Sequence, residues 1–120
     1  MGLLKAGDPD GAAELLSEAL SALGYLVEVL HSGVDALALA QRARFDAVLL
    51  DIGLPVLDGY EVARRLRRLA GWEQTPLVAV TGYGQESDKQ LARAAGFTQH
   101  LVKPIDLAAL DQILQLLRRR

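Results

Sequence analysis

The chain has 120 residues, enough for one domain with a core of its own. Thirteen Lys+Arg against fifteen Asp+Glu leave a formal charge of −2, so a direct nucleic-acid or polyanion binder is not expected. Hydrophobic residues make up 51% and cysteine is absent, which excludes disorder, a disulfide scaffold, thiolate catalysis and a cysteine zinc site. No apolar run approaches the roughly 20 residues of a membrane span, and no signal-peptide pattern opens the chain. A single domain over residues 1–120, in the cytoplasm, is expected.

Two periodicities alternate along the chain. Leu3-Leu4-Lys5-Ala6 reads as a short strand, and Asp8-Pro9 as the cap and first residue of a helix. The helical pattern runs from Ala12 to Leu23 and Gly24 ends it. Tyr25 to Leu30 is a β-rich run. A second helix is predicted from Ser32 to Ala43, capped by Ser32 with Asp35 three residues on. Ala47-Val48-Leu49-Leu50 is wholly apolar, as in a strand covered on both faces. Asp58-Gly-Tyr-Glu61 has capping-box spacing and opens a helix through Leu69. Leu77 to Val80 is another buried strand. Gln85 to Ala95 is helical and Gly96 closes it. Gln99 to Val102 forms a fifth strand, and Asp106 caps a last helix to Leu117. The arginine run 118–120 reads as a solvated helix end, where cations suit the dipole.

Five strands alternating with five helices imply a parallel sheet with helices on both faces. In open sheets of this kind the site lies beyond the carboxyl ends of the strands. Gly7 and Asp8 follow the first strand, His31 and Ser32 the second, and Asp51 the third. Thr81 follows the fourth strand; Lys103 and Pro104 follow the fifth. Two carboxylates, a hydroxyl and an ammonium therefore converge on one edge. A carboxylate beside a hard cation can accept a phosphoryl group. The hydroxyl and the lysine would then meet its oxygens.

The segment Asp51-Ile-Gly-Leu-Pro-Val-Leu-Asp-Gly-Tyr-Glu61, with Val80-Thr81-Gly82 and Val102-Lys103-Pro104, resembles the response-regulator receiver domain. Thr81 and Lys103 follow Asp51 by 30 and 52 residues, and the likeness spans essentially the whole chain. It implies a flavodoxin-like α/β fold, (βα)5, with parallel strand order 2-1-3-4-5, an order that receivers share with flavodoxin. By the same resemblance Asp51 is the phosphoacceptor, Thr81 the switch hydroxyl and Lys103 the phosphate-sensing lysine. Mg²⁺ would be held by Asp8, Asp51 and the Gly53 carbonyl, and Lys103-Pro104 is a candidate cis bond. The implied donor is a sensor histidine kinase or a histidine phosphotransfer protein. The implied response is a change in the face formed by the fourth helix, fifth strand and fifth helix. No enzymatic activity is expected beyond Mg²⁺-dependent self-phosphorylation and autodephosphorylation. The segments Thr81 to Gln85 and Gly96 to Lys103 look most like receivers attached to hybrid sensor kinases. No membrane partner is implied; the output partner and a homodimer stay open.

The first strand departs from that family. Receivers carry two adjacent acids there, whereas this chain reads Ala6-Gly7-Asp8-Pro9-Asp10. An ungapped match leaves Asp8 as one remaining acid. A gapped match places Ala6 and Gly7 at the pair and leaves none. The ungapped match is preferred, because a shift would lengthen the first helix and misplace its face. One acid predicts weaker Mg²⁺ binding and slower phosphorylation; none predicts a pseudo-receiver that acts only by protein contact. Lys5 is a second departure, since an inner parallel strand should be apolar and a buried lysine needs a partner. With only Met1-Gly2 before Leu3, a truncated or remodelled N-terminal edge is suspected.

Other residues have plainer readings. Asp58 is expected to cap a helix, Asp10 to sit in a first helical turn, and Trp72 to anchor packing. His31 and His100 are expected as surface or strand-end residues and not as ligands; His100, three before Lys103, takes a slot where receivers often carry a switching aromatic. Tyr83 is expected to screen the acceptor from water. A phosphatase with an Asp nucleophile would want an acid at position 53, which is Gly. A flavin-binding fold would want a Ser/Thr/Gly-rich loop after the first strand.

Overall fold

The computed structural model of the chain describes residues 2–7, 11–53, 57–81, 86–103 and 105–118, without the side chains of 11–14, 86–88 and 118. Ten elements follow in strict alternation. They are β1 (Gly2–Ala6), α1 (Gly11–Ala22), β2 (Leu26–Leu30), α2 (Gly33–Ala40) and β3 (Ala47–Asp51), then α3 (Gly59–Arg68), β4 (Leu77–Thr81), α4 (Glu86–Ala95), β5 (Gln99–Val102) and α5 (Leu107–Arg118). The five strands pair in parallel in the order β2-β1-β3-β4-β5, as the resemblance implied.

The inner strands β3 and β4 are buried at every residue, which is why they read as unbroken apolar runs. Their side chains alternate between two cores. Leu4, Ala6, Val48, Leu50, Leu77 and Ala79 pack with α2, α3 and α4 through residues such as Ala36, Val62, Leu66 and Ala92. Leu3, Ala47, Leu49 and Val78 pack against Leu20 of α1 and Leu110, Leu114 and Leu117 of α5. Each fully buried leucine contributes about 1.5–3 kcal/mol of transfer energy. The same alternation puts Lys5, two residues after Leu3, and Asp51, two after Leu49, on the face that α1 and α5 cover.

Three of the predicted caps are found, and the fourth, Asp8, lies outside the described residues. The Ser32 side chain accepts from Asp35 N–H, Asp58 from Glu61 N–H, and Asp106 from Ala108 N–H. Glu61 turns its carboxylate to Arg64 and Arg65, and the Arg64 hydrogen bond is the main cause of its lowered pKa. Gly24 and Gly96 close α1 and α4 with φ of 98° and 108°.

One predicted boundary is off by more than a residue. The second helix stops at Ala40, not Ala43. Trp72, 1% exposed, donates its indole N–H to the Ala40 carbonyl at 3.0 Å. The N–H groups of Arg42 and Ala43 both fall back on Leu39. A distant side chain thus takes the carbonyl that would have continued the helix. Trp72 is the packing anchor the sequence suggested.

Candidate functional site

Among the described residues, the buried polar or charged ones are three: Lys5 (7% exposed), Asp51 (8%) and Thr81 (4%). All three lie in the carboxyl-terminal part of neighbouring inner strands. Burying such groups is costly unless they are compensated, so their gathering at one edge marks the site.

Asp51 is the last residue of β3. One carboxylate oxygen, Oδ1, accepts the Gly53 N–H at 2.9 Å. The other, Oδ2, accepts from Lys103 Nζ at 2.5 Å. The carboxylate is therefore fixed by the loop that follows it and by a cation from the far side of β4. Charge-assisted bonds of this kind are the stronger class. Behind it, Gly59 lets α3 close on β3: its N–H donates to Ile52 O at 3.1 Å, and a Cβ there would lie 2.7 Å from Asp51 O. That clearance explains why glycine follows the Asp58 cap.

Thr81 is the last residue of β4, paired in register with Val102. Its carbonyl accepts the Lys103 N–H at 2.8 Å. Lys103 thus joins the Thr81 strand end through its backbone and Asp51 through its side chain. The structure brings Asp51, Thr81 and Lys103 to one edge, as their places at the strand ends predicted.

Gly7 holds the corresponding place after β1. Its N–H donates to Leu30 O at 3.1 Å, and its carbonyl takes His31 Nδ1 at 3.1 Å. His31, expected to be a strand-end residue, is one, and it steadies the glycine. A Cβ at Gly7 would lie 3.6 Å from Asp51 Cβ, so position 7 looks directly onto Asp51. Asp8 and Asp10 lie outside the described residues, as do Tyr83 and Pro104. Glycine at 7 brings no carboxylate. Instead Lys5 Nζ stands 3.8 Å from the place its Cβ would occupy. The sequence marked Lys5 as odd but not where its head would go. That depends on position 7 being empty of side chain.

Mg²⁺ asks for hard oxygen ligands and keeps several waters. The described residues offer the Asp51 carboxylate and the Gly53 backbone, and no group of three metal-ligating side chains occurs among them. Lys5 Nζ stands 3.8 Å from the place where a side chain at position 7 would begin. The described donor set is a poor fit to the ion.

His100 on β5 is partly buried, and its Nε2 is enclosed with no hydrogen-bond partner among the described residues. It lines a cleft of about 220 Å³ between α4 and β5 with Lys89, Arg93, Phe97 and Thr98. No helix among the described residues is long and apolar enough to cross a membrane.

Residues 4–115 match the family model of the response regulator receiver domain. The chain is 33% identical over 96% of its length to an uncharacterised 14.6 kDa protein of Leptolyngbya boryana, covering 88% of it. It is 36% identical over 98% of its length to the transcriptional regulatory protein TcrA of Mycobacterium tuberculosis, of which it spans 46%. A solved receiver domain of a Pseudomonas aeruginosa sensor histidine kinase, with magnesium coordinated in its active site cleft, superposes with a TM-score of 0.91. The two are 33% identical, over 99% of this chain and 98% of that one. The chemotaxis response regulator CheY4 of Vibrio cholerae superposes with a TM-score of 0.90 at 34% identity, over 97% of each chain. The order of the strands, the edge-on cluster of Asp51, Thr81 and Lys103 and these likenesses agree, and the chain belongs to the response regulator receiver family.

Proposed function

We propose that the domain accepts a phosphoryl group on Asp51 from a sensor histidine kinase or a histidine phosphotransfer protein. The observation that carries this is the Lys103–Asp51 contact of 2.5 Å at the carboxyl edge of the sheet. A carboxylate oxygen of Asp51 forms the new O–P bond as the P–N bond to the donor imidazole breaks and its electron pair stays on nitrogen. Lys103 offers a point charge to the phosphoryl oxygens, and Thr81 a hydroxyl at the neighbouring strand end. Catalysis here is positioning and charge stabilisation. The domain does no other chemistry than taking up and losing this group.

The single charge of the Asp51 carboxylate is replaced by a phosphoryl group that carries close to two negative charges further out from the strand end. Lys103 follows them, and its backbone tie to Thr81 carries the change to β4 and β5. The α4–β5–α5 face repacks, with His100 moving in its cleft beside α4. An output partner, or a second copy, reads that face. Magnesium, present in the similar Pseudomonas domain, would here be held by Asp51, Asp8 and the Gly53 carbonyl, a thinner set. A cytoplasmic site of action suits this chemistry.

Glycine at 7 favours a second reading, an interaction module that takes no phosphoryl group. The test is intact mass after incubation with acetyl phosphate. A gain of one phosphoryl group, lost in Asp51→Ala, is expected. No gain at all would favour the second reading.

A further inference from the structure

We propose that Lys5 serves as a built-in cation of the acceptor site, taking over charge that a magnesium ion would otherwise supply; this rests on Asp51 being the acceptor. Lys5 stands in an inner strand between Val29 of β2 and Leu49 of β3, where apolar residues belong. Alternation places Lys5, Gly7 and Asp51 on one face of the sheet. The stem lies in the core and the head reaches the strand end. There a single point, the missing Cβ of Gly7, lies 3.8 Å from Lys5 Nζ and 3.9 Å from Asp51 Oδ2. The ammonium and the acceptor carboxylate thus both come within 4 Å of the place that the missing Cβ would take.

Two consequences follow from charge. A positive charge at this edge of the sheet disfavours a divalent cation there, so Mg²⁺ binding is weakened by Lys5 as well as by the lost acid. The same charge favours an acceptor whose new phosphoryl group spreads negative charge over its oxygens. With Lys103 already on Asp51 Oδ2, two ammonium groups serve the acceptor. Lys5 transfers no proton in this step; it balances charge while the O–P bond to Asp51 forms and the donor leaves with its electron pair.

The experiment compares wild type, Lys5→Met and Gly7→Asp. Methionine keeps the length and apolar stem of Lys5, and an aspartate Cβ at 7 meets its neighbours at ordinary contact distances. Phosphorylation from phosphoramidate is followed by intact mass, in Mg²⁺ and in chelator. Mg²⁺ affinity is measured separately by calorimetry, and thermal melts check folding. Wild type is expected to label at similar rates with and without the metal. Lys5→Met should lose about tenfold or more of the metal-free rate, keep its rate in Mg²⁺ and bind Mg²⁺ more tightly. Gly7→Asp should also bind Mg²⁺ more tightly. A lysine with a merely structural role would not change the metal dependence. Labelling of wild type that strictly needs Mg²⁺, with Lys5→Met the same in rate and Mg²⁺ affinity, overturns the role of Lys5 and leaves Asp51 as acceptor. No labelling of any variant under any condition overturns the acceptor reading itself, and this proposal with it.

Discussion

The backbone N–H of Lys103 donates to the carbonyl oxygen of Thr81 at 2.8 Å. The same lysine reaches Asp51 with its ammonium at 2.5 Å. Charge placed on Asp51 therefore acts on a residue already fastened to the end of β4. Lys103→Met should slow phosphoryl uptake by about 10²-fold or more, since one stabilising group is removed. Thr81→Ala should leave the mass gain in place but blunt the amide shifts of α4, β5 and α5 on phosphorylation. Stopped-flow labelling and amide NMR check the two. Equal rates for Lys103→Met and wild type would contradict this role of the lysine.

Gly59 is a packing requirement of the site. A Cβ there would sit 2.7 Å from Asp51 O and 2.8 Å from Ile52 Cα, both backbone atoms that cannot swing aside. Gly59→Ala should cost about 1–3 kcal/mol in urea unfolding. It should also lower phosphorylation, because α3 must retreat from the β3 end that carries Asp51.

Asp58 caps α3, so its effects should separate from those of Asp51. Its Oδ1 accepts the Glu61 N–H at 3.0 Å. Asp58→Ala should cost about 1 kcal/mol of stability and leave the phosphorylation rate unchanged. A large loss of rate at unchanged stability would give Asp58 a place in the site.

Arg67 fastens three segments. Its guanidinium donates to the carbonyls of Gly96, Trp72 and Thr75 at 2.6 to 3.0 Å. Burial pulls its pKa below the ordinary arginine value. Arg67→Met should cost about 2–3 kcal/mol by leaving carbonyls unsatisfied, and Arg67→Lys should recover only part, because an ammonium lacks the planar fork. Chemical denaturation of both variants checks this.

The alternating apolar runs made the parallel sheet legible, and short inner strands gave away which polar residues end them. Asp51, Thr81 and Lys103 could be found this way because a strand end fixes where a side chain emerges. Lys5 could be seen only as a misfit: a lysine's reach depends on what its neighbours leave open, here the bare Gly7. The early stop of α2 was hidden because the group that takes the Ala40 carbonyl lies 32 residues away, on Trp72. Arg67 was hidden for a similar reason, since its partners lie up to 29 residues on, in turns whose shape no local pattern records.

Whether Asp51 carries the phosphoryl group is tested most directly by chemical trapping of the phosphorylated protein. Borohydride reduces an acyl phosphate to an alcohol, which turns a phosphorylated aspartate into homoserine. Peptide mapping should then find homoserine at position 51 after treatment with phosphodonor, and aspartate there without it. Homoserine at any other aspartate, or intact Asp51 after full exposure to donor with and without Mg²⁺, would contradict Asp51 as the acceptor.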